Sequence, residues 1–222
     1  MAMGGKGGNA VVEQAREYWR VPSAAQEYDR IRFNNLWGLV YRWREENAIL
    51  RALRGVPPNS TVLDAACGTG RVTALLRRNG FRSIGCDISI PMMTVARQRM
   101  TSLGYEVPFV ASDALHLPYA SKSFDVTTCI GLLMHLDTEA RVAVLRELAR
   151  VTRQRLVVQY GRAQPLNRAR ARITGRTPGK VRYALSETEM RSDLDRTGLG
   201  ERDRFWVLRG FSSSVVLQLS AT

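Results

Sequence analysis

The chain has 222 residues and a net charge of +13 at pH 7, and 45% of its residues are hydrophobic. This length and composition suit one domain of ordinary size with a substantial core, and no apolar run approaches the roughly 18 residues that a membrane-spanning helix needs. The glycine-rich residues 1–10 lack the apolar centre of a signal peptide, so we expect a disordered tail and a cytoplasmic protein.

The N-terminal part of the chain, residues 11–56, has helical patterns and is predicted to form a helical cap. Val11–Arg20 predicts a weak first helix, and a second helix is predicted from about Ala24 to Arg54. Apolar residues of this second helix recur with the 3.6-residue helical period: Leu36, Leu39, Val40, Trp43, Leu50 and Leu53. We expect the aromatic residues Trp37, Tyr41 and Trp43 to pack in the core rather than to contact a substrate.

From residue 61 onward, in the predicted main domain 57–222, strand patterns alternate with helix patterns. The predicted strands are Thr61–Ala65, Ser83–Ile88, Val107–Ala111, Asp125–Ile130, Leu156–Tyr160, and two near Arg204–Leu208 and Ser214–Leu219. The predicted helices are Val72–Arg78, Pro91–Met100, Glu139–Val151 and Glu187–Thr197, the last with a Ser-x-x-Glu capping box. This alternation predicts a doubly wound α/β fold with seven strands, mostly parallel, helices on both faces and an antiparallel C-terminal hairpin.

Ligands of such sheets bind beyond the carboxyl ends of the strands, so we expect the functional residues in the loops that follow the strands. The loop after the first strand reads Asp-Ala-Ala-Cys-Gly-Thr-Gly over residues 64–70. Its glycines, Gly68 and Gly70, permit a tight turn and close approach of a ligand to backbone N–H groups at the following helix start. The dinucleotide fingerprint G-x-G-x-x-G fits poorly, because Thr73 occupies the third glycine position.

Two aspartates lie at the carboxyl ends of the next two strands. Asp87 ends the second strand, where a carboxylate can accept hydrogen bonds from both hydroxyls of a ribose. Asp113 follows the third strand, where a carboxylate can accept from an exocyclic amine such as that of adenine. Either residue alone could be an ordinary loop aspartate, but together with the glycine turn they indicate a nucleoside-like ligand.

This combination resembles the class I S-adenosylmethionine-dependent methyltransferases, in particular the group with a D-x-x-C-G-T-G first motif, over about residues 60–160. The resemblance implies that Asp64 supports the amino-acid end of S-adenosylmethionine, Asp87 binds the ribose and Asp113 binds the adenine amine. It implies further cofactor contacts at Tyr28, Ala66, Gly68, Thr69, Gly70, Ile88, Ala114, Ile130 and Gly131. Ala66 departs from the family pattern, which commonly has glycine at this position.

The resemblance also implies an in-line displacement, in which the acceptor attacks the methyl carbon and S-adenosylhomocysteine leaves without the help of a metal. A general base helps when the acceptor is an alcohol. The candidate residues are His135, which follows the fourth strand and could equally cap a helix, and Tyr160, which either lines the acceptor pocket or is a buried aromatic. Cys67, Cys86 and Cys129 are widely spaced and are predicted to be buried thiols.

The positive charge is concentrated in residues 150–182, because no acidic residue lies between Glu147 and Glu187. This segment predicts an anionic partner, whether phosphate, nucleic acid, an acidic membrane surface or a glycan, or a solvated loop that binds no ligand. If the segment faces the pocket, Arg168, Arg170 and Arg172 are the candidates for binding an anionic substrate.

The leading hypothesis is methyl transfer to an oxygen or nitrogen atom of a small molecule or anionic headgroup. The high net charge favours a nucleic-acid, in particular RNA, methyltransferase as the alternative. However, the sequence has no Asn/Asp-Pro-Pro-aromatic element and no recognisable RNA-binding module. A nicotinamide-dependent oxidoreductase fits less well, since both G-x-G-x-x-G and Tyr-x-x-x-Lys motifs are missing.

Overall fold

A seven-stranded sheet forms the centre of the computed structural model, which describes residues 21–161, 185–208 and 214–221. The strands are β1 (Thr61–Ala65), β2 (Arg82–Asp87), β3 (Phe109–Ala111), β4 (Phe124–Cys129), β5 (Thr152–Gly161), β6 (Leu199–Trp206) and β7 (Ser214–Ala221). They lie in the order β3-β2-β1-β4-β5-β7-β6. Pairing is parallel from β3 to β5, and β7 runs antiparallel to both β5 and β6. The predicted doubly wound, mostly parallel sheet with an antiparallel C-terminal hairpin is confirmed.

Six helices connect or flank the strands among the described residues. They are α1 (Pro22–Phe33), α2 (Leu36–Ala52), α3 (Arg71–Arg78), α4 (Ile90–Ser102), α5 (Thr138–Val151) and α6 (Glu187–Thr197). The predicted capping box at the start of α6 is present, because Ser186 and Glu189 exchange side-chain to backbone hydrogen bonds. Within the described ranges, no helix combines the length and the apolar character that crossing a bilayer requires.

The sheet separates two hydrophobic cores, because successive residues of a strand point to opposite faces. Val62 of β1 and Val157 of β5 pack with α2 and α3 on one face. Leu63 and Val158, the next residues of the same strands, pack with α5 and α6 on the other face. The three cysteines are buried free thiols, as predicted, and burial raises the pKa of Cys86 to about 11.

The prediction of a single helix over Ala24–Arg54 is wrong, because the helical conformation is interrupted at Asn34 and Asn35. Asn35 has an extended backbone, and its side chain accepts a hydrogen bond from the backbone N–H of Gly38 at 2.8 Å, which starts α2 as a new helix. A Cβ atom on Gly38 would lie 2.7 Å from the carbonyl oxygen of Arg32. The two helices therefore meet closely at a position that only glycine fits.

One apolar side of α2 points away from the sheet, contrary to the prediction that Trp37 and Trp43 pack in the core. Four side chains, named here the outer stripe, are exposed: Leu36 (75%), Trp37 (75%), Leu39 (53%) and Trp43 (59%). The opposite face is buried through Glu45, Ala48, Ile49 and Ala52. The small side chains of Ala48 and Ala52 permit close packing of α2 on the sheet. The buried carboxylate of Glu45 is stabilised by an ion pair with Arg71. Tyr41 is half-buried, and its hydroxyl donates to Ser214 Oγ at 2.8 Å.

Two strands begin earlier than the sequence predicts. β5 starts at Thr152 rather than at residue 156, because Thr152 pairs with Phe124 of β4 and its hydroxyl donates to the Leu148 carbonyl at 2.6 Å. β6 starts at Leu199 rather than near residue 204, because it pairs with the whole length of β7. The exposed, charged side chains at the start of β6 do not show the apolar alternation by which the other strands were predicted. Such charges are common on edge strands.

Several predictions lie outside the described residues. They are the tail 1–10, the helix Val11–Arg20 and the candidate substrate residues Arg168, Arg170 and Arg172.

Candidate active site

A cavity lies at the carboxyl ends of β1, β2 and β4. The strand order reverses between β1 and β4, which is the position where doubly wound sheets bind ligands. All the predicted cofactor residues except Gly70 line this cavity, and so does His135: Tyr28, Asp64, Ala66, Gly68, Thr69, Asp87, Ile88, Asp113, Ala114, Ile130 and Gly131. Residues that are distant in the sequence therefore meet at one edge of the sheet.

The glycine turn between β1 and α3 has a left-handed backbone at three positions, with φ of 56° at Ala66, 53° at Gly68 and 72° at Gly70. A left-handed conformation at residue 66 gives a physical reason for the glycine that is common there in similar sequences. A Cβ atom on Gly70 would lie 2.8 Å from the Cβ of Ala96 on α4. Gly70 therefore serves helix packing and does not line the cavity.

Gly70→Ala is expected to lower the free energy of unfolding by about 2–3 kcal/mol, because it combines backbone strain with a side-chain overlap. Gly68→Ala is the matched control, since φ is also positive there but nothing lies within 4 Å of the added Cβ. Its expected loss is about 1 kcal/mol. Urea denaturation measures both variants, and equal losses would show that the contact with Ala96 carries no weight.

Asp87 fixes the loop after β2 to the glycine turn. Its carboxylate accepts hydrogen bonds from the backbone N–H groups of Gly68 and Ser89, each at 2.8 Å. Burial raises the pKa of Asp87, although these backbone hydrogen bonds oppose the shift. A carboxylate offers about four acceptor positions, so Asp87 retains capacity for further donors in the cavity.

Asp64 lies at the end of β1 and is 1% exposed. One carboxylate oxygen accepts from Thr73 Oγ1 at 2.6 Å, and the other accepts from Thr128 Oγ1 at 3.1 Å. Burial raises the pKa of Asp64 to about 6, against the opposing effect of these two hydrogen bonds. The site thus holds a carboxylate that would be stabilised by a cationic ligand group.

Comparisons with known proteins agree with this arrangement. A family profile described as "Methyltransferase domain" matches residues 62–155. A demethylmenaquinone methyltransferase from Mycobacterium sp. (strain KMS) is 42% identical over 134 residues, which cover 59% of this chain and 53% of that protein. Another from Thermobifida fusca (strain YX) is 34% identical over 151 residues, covering 66% and 62%. The chain therefore spans little more than half the length of the curated relatives it matches.

Among solved structures, the magnesium protoporphyrin IX methyltransferase of Synechocystis PCC 6803 with bound SAH has the same fold. The TM-score is 0.80 at 24% sequence identity, over 95% of this chain and 99% of that chain. Residues 62–155 therefore resemble a methyltransferase domain, and the chain has the fold of the class I S-adenosylmethionine-dependent methyltransferases.

Helix α1 closes one side of the cavity. Asp29 accepts from Thr69 Oγ1 at 3.1 Å and pairs with Arg99 of α4, which ties α1 to the glycine turn. Arg32 donates to the Tyr28 hydroxyl at 2.5 Å, and both side chains line the cavity. Asp29 and Arg32 were not among the predicted site residues, although the i, i+4 spacing of Tyr28 and Arg32 places these two side chains on one helix face.

A buried charge cluster supports the wall formed by α1 and α3. Glu45 of α2 is fully buried, pairs with Arg71, lies 3.5 Å from Arg32 Nη2, and accepts from Gln159 Nε2 at 2.6 Å. Burial raises the pKa of Glu45, but the two guanidinium groups outweigh it and hold that pKa below its usual range. Arg71 Nη1 has no hydrogen-bond partner in the described part of the chain. Sequence reasoning missed this cluster because its partners are far apart in the chain.

His135 and Tyr160, the two candidate catalytic residues, occupy different places. His135 ends the short 3₁₀ helix Leu133–His135 and lines the cavity. Tyr160 is fully buried on the other face of β5, and its hydroxyl lies 3.4 Å from Asp193 of α6. The prediction that Tyr160 lines the acceptor pocket is therefore wrong, because the alternation of strand residues turns Gln159, not Tyr160, toward the cap. No three metal-ligating side chains converge within the described ranges.

Proposed function

We propose that this protein transfers the methyl group of S-adenosylmethionine to an oxygen or nitrogen atom of a small molecule or anionic headgroup. The observation that carries the proposal is the convergence of three carboxylates, Asp64, Asp87 and Asp113, around one glycine turn at the topological switch point. A ligand with an ammonium group, a ribose and an adenine amine presents donors that three such acceptors can bind.

The side chains fit the three parts of this cofactor. Asp87 would bind the ribose hydroxyls, and Asp64 would stabilise the ammonium group. Asp113, whose carboxylate is oriented by the Leu115 backbone N–H at 3.0 Å, would accept from the adenine amine. Ile88 and Met92 supply apolar walls beside Asp87. When bound, S-adenosylmethionine supplies a methyl group already activated by its sulfonium.

The remaining task of the protein is to align the acceptor and to exclude water. Tyr28 and Arg32 on α1 face the cavity, and the link between Asp29 and Thr69 holds that helix in place. His135 is the candidate general base for an alcohol acceptor, because it lines the cavity and an imidazole exchanges protons near neutral pH.

Two observations favour a small or anionic acceptor. The relatives are named for demethylmenaquinone and magnesium protoporphyrin IX, which are small molecules rather than polymers. Arg32 and Arg71 line the cavity and share the buried Glu45, so positive charge is available at this wall. The role of Arg168, Arg170 and Arg172 in substrate binding stays a prediction.

A methyl-label transfer tests the proposal. The full chain would be incubated with S-adenosylmethionine labelled in its methyl group and with a lysate depleted of methyl donors, followed by separation of lipids, metabolites, nucleic acids and proteins. Label in the lipid or metabolite fraction is expected. Label in nucleic acid would instead support the RNA methyltransferase, and no label in any fraction would contradict methyl transfer. Asp87→Ala is the control for transfer that depends on the cofactor site.

The affinity for S-adenosylhomocysteine is expected to fall about tenfold between pH 7 and pH 5. Because the pKa of Asp64 is about 6 in the free protein, protons compete with the ligand ammonium for this carboxylate below that pH. Calorimetric titration across this range measures the effect. Asp64→Asn is expected to bind weakly and with no dependence on pH, and an equal pH dependence in this variant would assign the effect to another group.

A further inference from the structure

The outer stripe of α2 is an apolar surface on the described part of the molecule. Leu36, Leu39 and Trp43 are spaced three and four residues apart, so they lie along one side of the helix, and Trp37 lies beside them. All four are more than half exposed. Helix α2 therefore has two apolar sides. One packs on the sheet, and the other is exposed to solvent.

Basic residues border the outer stripe. Arg44 and Arg51 follow Trp37 at steps of seven residues, which places all three along one edge of the stripe. Both arginines are exposed and lie over aromatic rings, at 5.3 Å from the Trp43 ring centre and 5.0 Å from that of Phe205. Neither has a carboxylate partner within the described residues, whereas Arg42 on the other edge pairs with Glu46. The uncompensated charge of this surface is positive.

We propose that the outer stripe of α2 docks on an anionic lipid bilayer and lies in its interfacial region. Helices with tryptophan and leucine on one face and arginine at its edge partition into a membrane interface. Their binding free energy combines apolar burial with attraction to acidic headgroups. A second copy of the chain is a poorer occupant, because each copy carries a net charge of +13 and the two would repel. Nucleic-acid phosphates would leave the leucines in water.

The position of the outer stripe connects docking to the cavity. Arg32 lines the cavity, and Leu36 follows it by four residues, so their Cα atoms lie within about 15 Å of each other. Docking would therefore bring the cavity wall formed by α1 close to the bilayer. An acceptor dissolved in the membrane could then reach the site without crossing bulk water. This inference goes beyond the proposed function, because binding to a bilayer requires no methyl transfer.

The test is flotation of the full chain with lipid vesicles. Vesicles of phosphatidylcholine mixed with phosphatidylglycerol are compared with vesicles of phosphatidylcholine alone. The triple variant Leu36→Ser, Leu39→Ser, Trp43→Ser keeps the net charge, and it is expected to reduce the bound fraction on anionic vesicles at least about tenfold. Ile90→Ser is the matched control, since Ile90 is 62% exposed but lies on α4 outside the stripe, and its binding should equal that of the parent.

Three results would overturn the proposal. The first is that the parent chain does not bind anionic vesicles. The second is that the triple variant binds these vesicles as well as the parent does. The third is that the parent forms a dimer which the triple variant loses, while vesicle binding is unchanged. Equal binding would mean that charge alone attracts the protein, and loss of a dimer would assign the stripe to a second copy. A thermal shift with S-adenosylhomocysteine verifies that the variant is folded. The double variant Arg44→Gln, Arg51→Gln provides a second test, with reduced preference for anionic vesicles as the expected result.

Discussion

Asp87→Ala is expected to weaken the binding of S-adenosylhomocysteine at least about a hundredfold, measured by calorimetric titration at pH 7. The carboxylate would bind two ribose hydroxyls, and a hydrogen bond to a charged group contributes about 1.5–3 kcal/mol, so the loss of two exceeds the roughly 2.7 kcal/mol of a hundredfold change. The substitution also leaves the backbone N–H groups of Gly68 and Ser89 without this acceptor. The glycine turn then loses its link to β2.

The control for this variant is Asp125→Ala. Asp125 also accepts a backbone N–H, that of Thr61 at 2.8 Å, but Thr61 begins β1 and lies at the end of the strand opposite the cavity. Asp125→Ala should lower the stability of the protein and leave its affinity for S-adenosylhomocysteine within about twofold of that of the parent. If Asp87→Ala binds as tightly as the parent, the ribose does not lie at the end of β2, and the proposed orientation of the cofactor is incorrect.

The positions of the cavity residues were predictable because the signals are local. Asp64, Asp87 and Asp113 each lie at or just beyond the carboxyl end of a strand that its own sequence pattern identifies. The rule that parallel strands end at one edge then brings the three residues together. The turn at Gly68 is equally local, since a strand, two glycines and a helix start are contiguous in the chain. These features need no knowledge of long-range packing.

Which face of α2 is buried could not be predicted from local sequence signals. A helical period shows that apolar residues share a face, but it does not show whether that face meets the core or the solvent. The answer depends on Glu45, whose partners Arg71 and Gln159 lie 26 and 114 residues further along the chain. A glutamate on a helix normally indicates the solvent side, so the sequence favoured the wrong face. The error at Tyr160 is smaller, because a shift of one residue along a strand exchanges the two faces of the sheet.

Glu45→Leu is expected to lower the free energy of unfolding by about 3–5 kcal/mol, because removal of one partner of a buried ion pair leaves an uncompensated charge. Arg71 and Gln159 Nε2 would each lose their buried acceptor. Glu46→Gln is the matched control, since Glu46 is only partly buried and pairs with Arg42, and its expected loss is below about 1 kcal/mol.

The double variant Glu45→Leu, Arg71→Leu separates the charge effect from simple loss of packing. With both side chains replaced, the buried guanidinium of Arg71 is no longer left without its carboxylate, and only the weaker pairing of Arg32 at 3.5 Å is lost. We therefore expect the double variant to be more stable than Glu45→Leu alone, as a coupling of about 1 kcal/mol or more in the double-mutant cycle. Additive losses would show that Glu45 stabilises the α2 face by packing rather than by its charge. In that case the inward face of α2 would be set by Ala48, Ile49 and Ala52, and the outward position of the stripe would follow from the packing of these three residues on the sheet alone.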